Sequence, residues 1–217
     1  MDLNSSVTEL TTAGTDALLG FLCILLAFRM GRCMDPHRFK ARIWQWVFGL
    51  LAASSLLGSI AHGLHLSPGL RNLLWQPLYL ALGLDVALFV VGSVLDGFGE
   101  KYARRLTPVA LLAGTVFYSI TLFGSGSFLV FTVYEGTAML FSLGVYIRIA
   151  LTKGMPGAAT ISSGIGLTIV AAALQAGSLG LSFIWPFDHN GIFHLVQIPA
   201  LILLACGLQS SIVNRQS

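Results

Sequence analysis

The sequence predicts an all-α integral membrane protein: seven transmembrane helices forming a single domain over residues 1–217, with the N-terminus outside and the C-terminus cytoplasmic. Three observations carry this. Charged residues make up only 10% of the chain and hydrophobic residues 55%, whereas a soluble domain carries about 25% charged residues. Seven apolar stretches reach the ~20 residues that a helix needs to cross ~30 Å of hydrocarbon. Lys and Arg crowd the connections on one side of those stretches, and that bias sets the orientation. The same figures exclude intrinsic disorder, a coiled coil and a nucleic-acid binder, so the net charge of +3 is a topology signal.

The first stretch is 11–30. Residues 1–15 contain Asp2 and Glu9 but no Lys or Arg, and a signal peptide has a basic flank, so this run is read as a mature helix. The second, 43–66, follows the connection 31–42, where Arg32, Arg38, Lys40 and Arg42 gather just beyond Arg29. The third and fourth, 74–98 and 106–123, flank Lys101, Arg104 and Arg105. The fifth, 127–151, follows the short link 124–126 and carries Arg148 near its end, with Lys153 beyond. The sixth, 158–184, has small-residue stretches at 162–166 and 171–180 that allow close packing, within a protomer or in a homo-oligomer. The seventh, 191–213, follows the link 185–190 and leads to Arg215. Eleven of the twelve basic residues thus share one side, with only Arg71 opposite.

Trp75 and Trp185 fall at outer ends and Trp44 and Trp46 at an inner end, where interfacial anchors belong. No strand alternation competes with the helices, which satisfy their own backbone in lipid. No repeat supports an inverted-repeat transporter. Cys23, Cys33 and Cys206 are scattered and form no disulfide or zinc-finger framework. A short chain with this charge asymmetry suits a bacterial inner membrane.

Ionisable groups inside a span are costly and mark functional sites. Here they are Asp16, His62, His65, Asp85, Glu135 and His194, with Asp188 and His189 just outside the seventh span. At ~1.5 Å per residue, Asp16 lies roughly 8 Å from the outer end, His62 and His194 roughly 5–6 Å and Glu135 roughly 12 Å. Asp85 is near the midplane. All fall in the outer half or at the midplane, which predicts one polar cavity opening outward.

Each residue also has a plainer reading. Asp16 serves equally as an early-turn acid at the positive end of its helix. His65 reads as a solvated helix-end histidine, and His37 as part of a basic loop. Ser55, Ser59 and His62 form a stripe on one face, which fits small-residue helix packing as well as a site. Asp85 and Glu135 read either as a proton relay or ligand pair, or as partners of groups such as the Tyr134 hydroxyl. Gln175 and Gln197 read as hydrogen bonds between helices.

The strongest local motif is the run from Phe187 through Asp188, His189 and Asn190 to His194. Asp188 or Asn190 is an N-cap candidate. Two imidazoles five residues apart diverge by about 140° on a continuous helix, but the non-helical capping turn frees His189 from that restriction. With His62 from the second helix, three neutral imidazoles and a water make the ligand set of a catalytic zinc. Asp16 or Asp85 would then orient a ligand or take a proton from the water.

These residues resemble the superfamily of seven-helix hydrolases that contains the alkaline ceramidases and the progestin and adiponectin receptors. The segment from Ile192 to Leu195 is similar to the second half of the family's seventh-helix motif, with His189 in place of a histidine at Asn190. The resemblance implies zinc held by His62, His189 and His194, with Ser59 as the serine and Asp85 as the aspartate. The chain is also similar to uncharacterised bacterial seven-helix membrane proteins, through Thr15-Asp16, His62-Gly63 and His189-Asn190.

Three functions follow as expectations. The first is a zinc-dependent intramembrane amidase or esterase acting on a lipid or small amphiphile that enters from the bilayer, with Ser59 hydrogen-bonding the oxyanion. The second is a non-enzymatic ligand-binding or sensing protein, or a proton-coupled transporter, which alone gives Glu135 a task; His65 and Asn190 complete the polar cavity. The third is a haem protein with His62 and His194 as axial ligands.

Overall fold

The computed structural model describes residues 2–32, 38–123, 128–177, 180–182 and 184–213. Cys33, His37, the 124–126 link and Arg215 lie outside the described residues. Seven helices long and apolar enough to cross a membrane run in order: α1 Val7–Arg32, α2 Arg38–Gly63, α3 Pro68–Phe98, α4 Glu100–Phe123, α5 Phe128–Leu151, α6 Ala158–Ala176 and α7 His189–Val213.

The helices overrun the apolar stretches at their polar ends, because capping and packing extend a helix beyond what hydropathy alone selects. Ser67 caps α3, its hydroxyl accepting from the Leu70 amide at 3.4 Å, and Pro68 fills the first turn, where a missing N–H costs nothing. Glu100 and Arg104 pair one turn apart at the start of α4. Two helices stop short instead: α2 ends at Gly63 where the sequence reading ran to 66, and the sixth ends at Ala176 where it ran to 184. Gly177 turns the chain into extended conformation, and Leu181–Ser182 (β1) pairs antiparallel with Pro186–Phe187 (β2). This ribbon at the entrance to α7 is a strand element that hydropathy hides.

Helices α1, α2, α3, α5, α6 and α7 form a closed ring, each against its neighbours and α7 against α1, while α4 stands outside, chiefly against α3. The closest approaches are built on glycine. Gly83 of α3 and Gly114 of α4 face each other so tightly that a Cβ on either would meet the other's carbonyl oxygen, at 2.7 and 2.6 Å. On the α6–α7 seam a Cβ at Gly164 would lie 2.8 Å from the Ala200 carbonyl oxygen, and one at Gly207 2.7 Å from that of Gly157. Such backbone proximity is how helices gain contact in lipid, where no hydrophobic force pulls them together.

The core lies between α1, α2, α3, α5, α6 and α7. Trp44, read from sequence as an interfacial anchor, sits in it fully buried, edge-on to Phe89 with centroids 5.0 Å apart. Gly92 leaves the room, since a Cβ there would meet the indole at 2.7 Å. Trp46, two residues on, is exposed, as an anchor should be.

The upper end of the bundle is where α1, α3, α5 and α7 begin. There residues 2–4 run across the last turn of α2. The Asn4 amide donates to the Gly63 carbonyl at 2.9 Å, the Asn4 side chain to the His62 carbonyl at 3.0 Å, and the His65 amide to the Asp2 carbonyl at 2.9 Å. The strap occupies carbonyls that a helix end leaves without partners.

The lower end holds a buried charge network in the half of the bundle where the sequence reading placed no ionisable group. Lys40 Nζ lies 2.6 Å from Asp96 Oδ1 and donates to Ser211 Oγ at 2.7 Å, while the Tyr146 hydroxyl donates to Asp96 Oδ2 at 2.9 Å. The Lys40 and Asp96 side chains are 8% and 2% exposed. Lys40 had been assigned to a connection, but α2 starts two residues before it.

Candidate functional site: a polar cavity in the helix ring

A cavity of about 440 Å³ runs from the upper end towards the middle of the ring, lined by all six ring helices and by nothing from α4. Asp16, His62, Asp85, Glu135, His189, Asn190 and His194 all line it. The sequence reading of one shared cavity thus brings together residues from α1, α2, α3, α5 and α7. His65 is exposed beyond the end of α2, and Ser59 donates to the Ala13 carbonyl at 2.9 Å. The serines that line the cavity are instead Ser54 and Ser55.

At the centre of the upper half, His194 is held on both ring nitrogens. Its Nε2 lies 3.2 Å from Asp16 Oδ1, and its Nδ1 lies 3.1 Å from Thr15 Oγ1. All three residues are buried. The Thr15 hydroxyl also reaches the Thr12 carbonyl at 2.9 Å and the Thr11 carbonyl at 3.1 Å, so it has an acceptor whether or not His194 Nδ1 carries a proton. This arrangement serves either tautomer of the imidazole, as well as the imidazolium. Gly58 of α2 admits the Asp16 carboxylate, because a Cβ there would meet Asp16 Oδ2 at 2.6 Å.

His62 Nδ1 contacts Glu9 Oε2 at 2.7 Å, and its ring stands edge-on to Trp75 with centroids 5.7 Å apart. Glu9 escaped the sequence reading as a site residue. It occupies the third position of α1 after Ser6, whose hydroxyl accepts from the Glu9 amide at 3.4 Å, and this capping-box spacing was the available signal. Thr15 carries no signal of its own in the sequence beyond adjoining Asp16. Trp75, read as an anchor, is a wall of the cavity, stacked on Tyr79.

The entry to α7 is fixed by Asp188. Its Oδ1 accepts from the Gly191 amide at 2.8 Å, as an N-cap does, and from Thr12 Oγ1 at 2.8 Å. Burial works to raise this carboxyl, but those two donors, with His189 and His62 nearby, outweigh it and hold it below the usual value. Asn190 accepts from Gln175 Nε2 at 3.0 Å and so ties α7 to α6. Deeper in the cavity, Asp85 Oδ1 and Gln197 Oε1 are buried with no hydrogen-bond partner among the described residues. Tyr134, a possible partner by sequence, donates instead to the Gly83 carbonyl at 3.0 Å.

Zinc needs three converging protein ligands with free lone pairs. Among the described residues no three His, Cys, Asp or Glu side chains are grouped to hold a metal ion. His62, His189 and His194 share the cavity, and His62, with Nδ1 on Glu9, keeps Nε2 available as zinc-bound histidines do, but both nitrogens of His194 face residues of α1. As arranged, these donors do not fit a bound zinc.

Comparison with curated proteins and with solved structures finds no match. Residues 11–212, spanning all seven helices, match a family described as a family of unknown function. The chain belongs to that family, DUF6962.

Proposed function

We propose that this protein binds a small amphiphilic molecule within the membrane, as a ligand-binding protein or a proton-coupled carrier. The observation that carries the reading is the engagement of His194 with Asp16 and Thr15 inside a cavity of ligand size. Pockets of about 300–1,000 Å³ with a few convergent polar groups are the usual form of a small-molecule site. In the Asp16–His194–Thr15 chain a proton can sit on the acid or on the imidazole, since the two lie 3.2 Å apart and Thr15 serves His194 Nδ1 in either state, which suits a relay. Ser59 is occupied by a backbone carbonyl and is not part of the cavity lining, so the residue expected to take the oxyanion role is not placed to perform it.

The zinc hydrolase expected from the ceramidase-like resemblance requires His194 to free one ring nitrogen from Asp16 or Thr15 and to converge with His189 and His62, which can keep Glu9 on Nδ1 and ligate through Nε2. Metal analysis of the detergent-purified protein separates the two readings. Well below one zinc per chain is expected. One equivalent, abolished by His194→Ala and retained in His65→Ala, would overturn the binding reading in favour of a hydrolase. A haem reading would instead be supported by a visible absorption band that disappears in His62→Ala.

The orientation belongs to the same proposal. Arg29, Arg32, Arg38, Lys40, Arg42, Lys101, Arg104, Arg105, Arg148 and Lys153 all lie towards the lower end, so the positive-inside rule puts that end in the cytoplasm and opens the cavity outward. A bacterial inner membrane is the location that fits. A cysteine introduced at the exposed Ser5 should react with an impermeant maleimide in intact cells. Labelling only after permeabilisation would reverse the orientation.

A further inference from the structure

Asp85 belongs to α3, Gln197 to α7 and Glu135 to α5, and all three face the cavity. Asp85 is 8% exposed and Gln197 5%. The partnerless atoms they turn inward, Asp85 Oδ1 and Gln197 Oε1, are both acceptors, so what is missing opposite them is a donor. Buried polar groups are ordinarily satisfied, and each exception calls for an explanation. Glu135 lies near enough to Asp85 for their charges to interact.

Among the described residues no Lys or Arg supplies the missing cation. The lining holds three carboxylates and no Lys or Arg. Its bases are histidines, of which His62 already faces Glu9 and His194 already faces Asp16. Among the described residues no Lys or Arg pairs with Asp85 or Glu135. A buried carboxylate is tolerable when protonated or paired, and of two side by side both can be charged only with a positive partner, since a like charge alone favours keeping a proton.

The remaining walls describe the rest of the molecule. Trp75 stacks on Tyr79, with centroids 5.7 Å apart, and Phe89, Phe131 and Met139 continue the lining inward. Aromatic faces attract ammonium groups, and the apolar area suits a hydrocarbon or ring. A bare metal cation is a poor fit, because Ca²⁺ takes about six to eight oxygen ligands and these walls are mostly apolar. Resting on the binding reading above, we propose that the ligand is an organic ammonium: a protonated amine with an apolar body. Its N–H groups donate to Asp85 and Gln197 while Glu135 balances its charge.

The test uses the full chain in lipid nanodiscs with three probes of equal shape: 4-phenylbutylamine, 4-phenylbutanol and 4-phenylbutyrate. Binding is measured by equilibrium dialysis, with empty nanodiscs subtracting partition into lipid. The amine should bind about tenfold or more tighter than the alcohol, as a charge-assisted hydrogen bond predicts, and the carboxylate more weakly than both. Asp85→Asn should weaken the amine more than the alcohol and so remove the preference between them, and Glu135→Gln should reduce it, so the proposal does not depend on one variant folding. Equal binding of amine and alcohol in the native protein would overturn the ammonium proposal while leaving the cavity a binding site. No binding of any probe would overturn the proposal together with the binding reading beneath it.

Discussion

Asp96→Asn is expected to destabilise the bundle by about 3–5 kcal/mol, the usual cost of removing one partner of a buried ion pair. Asp96 is the hub of the lower network, with Lys40 on one carboxylate oxygen and Tyr146 on the other. The asparagine keeps the shape and one acceptor but removes the charge that Asp96 sets against the Lys40 ammonium, which also reaches Ser211. The loss should appear in the midpoint of unfolding when SDS is titrated into mixed micelles. Replacing the pair together, as Lys40→Met with Asp96→Leu, should recover most of the stability, since an apolar pair of similar volume is often neutral or better. A loss below about 1 kcal/mol for Asp96→Asn would mean that Lys40 reaches water, as long basic side chains near a membrane interface can.

Gly207→Ala should cost about 1–3 kcal/mol through overpacking, although alanine is the better helix former. The added methyl would lie 2.6 Å from Ile161 Cγ1, 2.7 Å from the Gly157 oxygen and 2.9 Å from the Ile161 amide nitrogen. Two of those atoms are backbone and cannot swing aside. Gly157 cannot yield easily either, because its φ of +80° is a left-handed conformation that suits glycine. The control is Gly166→Ala on α6, where nothing lies within 4 Å; it should be neutral or slightly stabilising. Thermal unfolding in detergent measures both. Equal midpoints for the two variants would refute the tight α6–α7 seam. Because Thr168 on α6 and Gln197, Leu201 and Leu204 on α7 line the cavity, spreading this seam should also loosen the proposed amine site.

The bundle was legible in the sequence because lipid imposes one requirement on every span, apolar length, and hydropathy measures it directly. The cavity was legible too, since Asp16, His62, Asp85, Glu135 and His194 stand out in apolar runs. What each residue does there was not. A one-dimensional pattern gives depth but no azimuth, so Ser59 and Ser55, on one stripe, were indistinguishable until one met the Ala13 carbonyl and the other the cavity. Glu9 and Asp96 were overlooked for a different reason. Each sits within a turn or so of a helix end, where a charge looks affordable, and only the fold brings His62 and Lys40 to them. Trp44 shows the converse, for an indole near a span end belongs to the interface by default unless a glycine such as Gly92 opens a place inside.

The position of α4 outside the ring has an electrical corollary. Its packing role is modest, but by returning the chain it lets α5 run parallel to α3, just as α7 runs parallel to α1. Four ring helices therefore point their amino ends upward against two pointing down, and the ring as a whole is a dipole, positive above and negative below. Glu9 and Asp188 sit at the starts of α1 and α7, and Arg29, Arg32 and Arg148 near the ends of α1 and α5, each complementing the polarity of its helix. Arg29, Arg32 and Arg148 thus combine the charge bias of the lower end with favourable helix ends, whereas Arg38, Lys40, Arg42, Lys101, Arg104 and Arg105 lie at the starts of α2 and α4 and contribute to the bias alone. Neutralising any one of them leaves both forms of bias largely intact.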